Sequence, residues 1–89
     1  MKPYRITIAV PSGPVFEGEI FSFSARGLEG DFAVLADHVP FVTYVKAGEC
    51  HLTDADGTVR RAESAGGLFA VEPDGVRFLP TSWEWKDTA

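Results

Sequence analysis

Gly27–Pro40 reads GLEGDFAVLADHVP, and the spacing of its small, apolar and polar residues decides how the chain is built. Gly27 and Gly30 bracket Leu28 and Glu29, the arrangement of a tight loop in which glycine supplies backbone angles other residues avoid. Phe32 to Leu35 follows as a short run apolar on both faces, which predicts a central, buried strand. Asp37 and His38, ahead of Val39 and Pro40, form a second polar loop. Phe41 to Val45 then carries Phe41, Thr43 and Val45 on one side and Val42 and Tyr44 on the other. Both strands are expected deep in the core.

The same punctuation extends in both directions. Turn signals stand at Pro11–Pro14, Lys46–Gly48, Asp54–Gly57, Gly66-Gly67 and Pro73–Gly75, leaving little room for helices. Tyr4, Ile6, Ile8 and Val10 alternate on one face, as do Phe21, Phe23 and Ala25, with the period of a half-buried strand. Asp56-Gly57 predicts a tight type I′ turn joining Glu49–Thr53 to Thr58–Glu63, two strands polar enough to be exposed. Pro73-Asp74-Gly75 predicts a last hairpin between Leu68–Glu72 and Val76–Leu79. The expected fold is all-β, an antiparallel flattened sandwich or barrel of about ten short strands. It occupies residues 1–80 and is followed by a tail, 81–89, with no regular period. Trp83 and Trp85 can either lie with both indoles against the sandwich or belong to a frayed end.

With 89 residues the chain forms one small domain that buries only about 60–65% of its unfolded surface. Cys50 is the single cysteine, so no internal disulfide forms, and two histidines give no spacing suited to structural zinc. Eight basic against thirteen acidic residues, a net charge of −5, disfavour a nucleic-acid partner. The first residues lack the apolar stretch of a signal peptide and no run approaches the roughly 20 apolar residues of a membrane span, so a cytoplasmic location without direct membrane insertion is expected.

Catalytic chemistry has little to draw on. Asp37, His38, Cys50 and His51 are the residues from which an active or metal site could be assembled, but Cys50 alternates with Glu49 and His51 and so points inward with Leu52. Gly27-Leu28-Glu29-Gly30 is no phosphate cradle, because no lysine follows and a strand comes next. Neither a catalytic residue, a cofactor, a metal nor a small-molecule ligand is expected. Arg60-Arg61 reads as a solvated pair.

In its order of residues, G-x-E-G-D-F-x-V-L-x-x-H-x-P closely resembles the loop of the N-terminal β-sandwich domain of the ε subunit of the F-type ATP synthase. Val15–Ile20 resembles the V-F-x-G-x-V segment of that family, His38–Thr43 its H-A-P-L-L-T, Lys46-Ala47-Gly48 its K-P-G, Gly66–Val71 its G-G-F-x-E-V, and Val76–Leu79 its closing V-x-V-L. The likeness covers nearly the whole chain. It departs at Ala36-Asp37, where Pro-Gly is usual, at Ala47 for proline, and at Ala65 for serine.

The resemblance implies a non-catalytic rotor subunit of a proton- or sodium-translocating bacterial enzyme, peripheral at the cytoplasmic face of the plasma membrane. Its partners would be the γ subunit and the c-ring. By position, Glu29 and Asp31 correspond to loop carboxylates at the ring end, while His38, Pro40 and Thr43 fall in the region that meets γ and the ring. Such carboxylates on a stiff loop could make charge-assisted hydrogen bonds to basic and amide groups. Because the family usually continues into a helical hairpin, a chain stopping at Ala89 is expected to couple without hairpin-type inhibition. The alternative is a free-standing β-sandwich module for a peptide or carbohydrate, marked by an aromatic groove around Trp83 and Trp85.

Overall fold

The structure, a computed structural model, describes residues 2–27, 30–36 and 39–86. Among these, the strands are β1 (Tyr4–Val10), β2 (Gly13–Gly27), β3 (Gly30–Val34), β4 (Phe41–Val45), β5 (Gly48–Asp54), β6 (Val59–Ser64), β7 (Gly67–Glu72), β8 (Gly75–Pro80) and β9 (Trp83–Trp85). The sheet runs β1-β8-β7-β4-β2-β5-β6-β9, with β3 added to β2 and a further β1–β2 pairing. Because β1 pairs with both β8 and β2, the path from β1 through β8, β7, β4 and β2 returns to its start and closes a flattened barrel. The joint between β2 and β4 is a single pair, Gly27 with Val45.

The fifteen-residue β2 makes this closure possible. Its first part pairs with β1 and its last part with β3 and β5, so one strand serves both layers. Its register against β5 shifts between Ile20 and Ser22. A bulge there changes which side faces inward, so Ile20 and Phe23, three apart, are both fully buried.

Phe69 is the hub of the core. It stacks on Phe23 at 5.2 Å between ring centroids, meets Phe32 edge-on at 5.3 Å and Phe78 at 5.8 Å. Ile6, Ile8, Leu52, Val34 and Val45 fill the space around these rings. Gly66 and Gly67 let backbones approach closely enough for that packing. A Cβ on Gly67 would collide with the Leu79 carbonyl oxygen and lie 2.7 Å from Pro80 Cα, and Gly66 adopts φ +90° with the Val45 carbonyl oxygen in the place its Cβ would take.

Several expectations are corrected. Phe32–Leu35 is not a central strand: β3 pairs with β2 alone, Phe32 is half-buried and Leu35 is 49% exposed. In β4 the residues Val42 and Tyr44 face outward, because β7 covers one edge and nothing in the described chain covers the outer face. The β5–β6 hairpin exists, but one side of it, Cys50, Leu52, Ala62 and Ser64, is buried. Its connection is not a two-residue type I′ turn. The Gly57 N–H donates to the Asp54 carbonyl at 3.0 Å, placing Ala55 and Asp56 at the centre and φ +90° on Gly57, and the Asp54 carboxylate accepts from the Asp56 and Thr58 amides. The sheet also continues past residue 80. Trp83–Trp85 pairs with Ala62–Ser64, and both indoles pack against the core.

Candidate partner-binding surfaces

β4, β7 and β8 run side by side, and their alternation exposes a band of apolar side chains. Tyr44 pairs with Leu68 and Leu68 with Leu79, while Val42 pairs with Ala70 and Ala70 with Arg77. Residues directly opposite on one face stand about 5 Å apart at Cβ, so these side chains form one patch. Val42 is 66% exposed, Tyr44 48%, Leu68 46% and Leu79 45%. The inward-facing Phe69 and Phe78 lie on the other side of the same strands, so the patch backs directly onto the aromatic core.

The opposite outer face is charged. Glu49 pairs with Glu63 and Glu63 with Glu84, forming a row of carboxylates across β5, β6 and β9. His51 and Arg61 pair in the next row, and the Lys86 amide continues it by donating to the Arg61 carbonyl. Glu49 accepts from Arg61 and lies 3.4 Å from His51, while Lys86 reaches Glu63 at 3.7 Å. Arg60 does not share this face. It opposes Leu52 and lays its guanidinium 3.9 Å over the Trp85 ring, which corrects the reading of Arg60-Arg61 as a solvated pair.

The residues expected at the partner interface are spread over the molecule. Glu29 and His38 lie outside the described residues. Asp31 is exposed at the closed end of the β2–β3 hairpin, opposite Arg26, whose Nε lies 3.4 Å from its carboxylate. It lines an open cleft of about 320 Å³ with Phe32, Gly48, Glu49 and His51. Pro40, just before β4, lines a different cleft of about 550 Å³ with Tyr4, Glu19, Leu35 and Glu72. Thr43 shares the inward side of β4 with Phe41 and Val45. Asp31 and Pro40 are therefore not brought into one site, and the exposed positions of β4 are the neighbours of Thr43. Strand parity could have found them: once Val45 is placed inside, Val42 and Tyr44 must face out.

No arrangement for catalysis emerges among the described residues, and no group of three or more His, Cys, Asp or Glu side chains there could hold a metal ion. The Cys50 thiol is buried, and burial pushes its pKa up to about 11, with a Ser64 hydrogen bond opposing and Glu63 and Glu49 adding to the rise. A thiol so raised is a poor nucleophile.

The family "ATP synthase, Delta/Epsilon chain, beta-sandwich domain" matches residues 3–86. The chain is 36% identical over 88 residues to the ATP synthase epsilon chain of Bacillus velezensis, a match spanning 99% of this chain and 66% of that relative. It is 34% identical over 79 residues to the ATP synthase epsilon chain of Caulobacter vibrioides, covering 89% of this chain and 91% of that one. Among solved structures, a chain of the Euglena gracilis mitochondrial ATP synthase, determined as OSCP, F1 and c-ring in rotational state 1, superposes with a TM-score of 0.87 at 19% identity, over 93% of this chain and 53% of that one. The closed path of strands and this match across nearly the whole length of the chain agree: the chain belongs to the β-sandwich domain family of the ATP synthase delta/epsilon chain.

Proposed function

We propose that this domain is a central-stalk element that binds the γ subunit through the apolar band of β4, β7 and β8. In this reading its polar end is directed at the c-ring, so that rotation driven by protons or sodium ions is coupled to ATP synthesis. The observation that carries the reading is the band itself. Val42, Tyr44, Leu68 and Leu79 remain exposed on a small domain whose core is already filled by the mutually packed rings of Phe23, Phe69 and Phe78. Contiguous apolar surface of this kind marks a protein–protein contact. The band is backed by closely packed aromatic rings, which suits a coupling element that must pass torque without deformation.

Glu29, Asp31, His38, Pro40 and Thr43 belong to the same proposal as the ring and γ contacts. Asp31 suits it best, since it is exposed on a hairpin end and already oriented by Arg26. Thr43 would act through the strand that presents Val42 and Tyr44. The location implied is peripheral, on the cytoplasmic face of the membrane that holds the ring.

Purified γ from the same source should bind the folded domain at micromolar concentration or tighter. Absence of binding by calorimetry, with both proteins folded, would refute the reading. The alternative of a peptide or carbohydrate module gains nothing from Trp83 and Trp85. Trp83 packs on Phe78 at 6.1 Å, Trp85 meets Phe16 at 6.1 Å, and Arg60 covers the Trp85 ring.

A further inference from the structure

Tyr4 opens β1, and its hydroxyl donates to the Val34 backbone carbonyl at 2.5 Å, across thirty residues of sequence. Val34 is the last residue of β3 and is 1% exposed, whereas Leu35, immediately after it, is 49% exposed. The Tyr4 ring packs against the core and, with Leu35, Ala36 and Pro40, lines the larger cleft. A phenylalanine would fill the same space, so what the hydroxyl adds is direction. β1 and β3 each pair with β2 and not with one another, which makes this bond a link between two strands that the sheet does not join directly. Burial holds the phenol well above the usual tyrosine range, with a Phe23 backbone hydrogen bond only partly offsetting it, so the group stays a donor at any physiological pH.

We propose that Tyr4 is a positioning residue: its hydroxyl fixes the direction in which the chain leaves β3, and so sets the Leu35 and Pro40 rim of the cleft. The consequence for binding rests on the γ and ring reading above. The consequence for the rim does not. Val34, opposite Phe23, is the last paired residue of β3, so its carbonyl is a point at which the departing chain can be tied down, and a hydroxyl delivered from β1 ties it without adding a strand.

The test uses Tyr4→Phe in the full chain, with amide hydrogen exchange read residue by residue. Exchange at Leu35, Ala36 and Phe41 should quicken about five- to tenfold, the factor that one hydrogen bond of ordinary strength represents, while Cys50, Ala62 and Phe69 keep their wild-type rates. Affinity for γ should fall severalfold. Replacement of Tyr4 by p-aminophenylalanine, which restores a donor, should recover both properties, and p-methoxyphenylalanine, which lacks one, should recover neither. Exchange that stays at the wild-type rate after Val34, or that quickens equally in every strand, makes Tyr4 a packing residue and overturns the proposal. A local change at the rim with no change in γ affinity overturns its role in binding. Failure of the wild-type protein to bind γ would defeat the functional reading instead, and the exchange measurements would still decide what Tyr4 does.

Discussion

The outer face of β4, β7 and β8 and the outer face of β5, β6 and β9 arise from the same alternation of strand residues, yet they end in opposite states. On the second face, carboxylates and the cations Arg61 and Lys86 lie in adjacent rows and bridge one another at 3.4–3.7 Å. Exposed pairs of this kind contribute little to stability but stay comfortable in water. On the first face, Val42, Tyr44, Leu68 and Leu79 meet water with nothing over them in the described chain. The contrast teaches where to look for a partner: the charged face is complete as it stands, and the apolar face gains by being covered.

The strongest way to break the contrast is to remove the support of the apolar face. Gly67→Ala would push a Cβ into the Leu79 carbonyl and Pro80 Cα. Both obstacles are backbone, so relief requires prising β7 from β8. We expect a loss of about 3 kcal/mol or more, and a thermal midpoint lowered by at least about 12 °C in a circular dichroism melt. An unchanged midpoint would contradict the close approach described here.

Leu68→Asp sharpens the contrast without touching the core. Leu68 sits between Tyr44 and Leu79 in the middle of the band. Its substitution should weaken γ binding by about 2 kcal/mol or more, the cost of a central contact. Stability should stay within about 0.5 kcal/mol, because the position is solvated in the free domain. Calorimetric titration beside a melt separates the two effects.

Stability also depends on pH through one buried thiol. Cys50 lies beneath the charged face, and its thiol is raised from 9.0 to about 11. Below 9.0 the thiol is neutral in both folded and unfolded chains, and its burial carries no ionisation penalty. Between there and about 11 the unfolded chain loses the proton first, so stability falls as pH rises through that window. Urea midpoints measured across it should fall less steeply for Cys50→Ala than for the wild type. Tyr4, raised for the same reason, acts in the same sense at still higher pH.

The smallest effect belongs to Glu63→Ala. It removes the Lys86 contact at 3.7 Å but also thins a row of three carboxylates. These effects oppose each other, and the net change in stability should lie within about 0.5 kcal/mol, with γ affinity unaltered. A large loss of binding here would mean that the wrong face has been assigned to the partner.

Much of the fold was legible because strand alternation and turn residues are local. The β5–β6 and β7–β8 hairpins, and the inward turn of Cys50 and Leu52 against His51, follow from neighbours in sequence. What escaped depends on pairing between distant strands. No residue of β2 announces that its register shifts near Phe21, yet that shift puts both Ile20 and Phe23 inside. An apolar run such as Phe32–Leu35 looks central until its pairing shows a single neighbour. Trp83–Trp85 reads as a tail until β6 offers an edge. The candidate site divides in the same way. The turn between Gly27 and Gly30 was visible in the glycine spacing, whereas the band through Val42, Leu68 and Leu79 exists only once three separate strands lie in register.

β1 lies parallel to β8, with Ile6 against Val76 and Ile8 against Phe78. During synthesis, then, β1 must wait until β8, about seventy residues later, has been made before the two can close the barrel. Folding governed by so distant a pairing is slow for its size. Until β8 emerges, the apolar side of β1 stays open to any chaperone or stray sheet edge it meets.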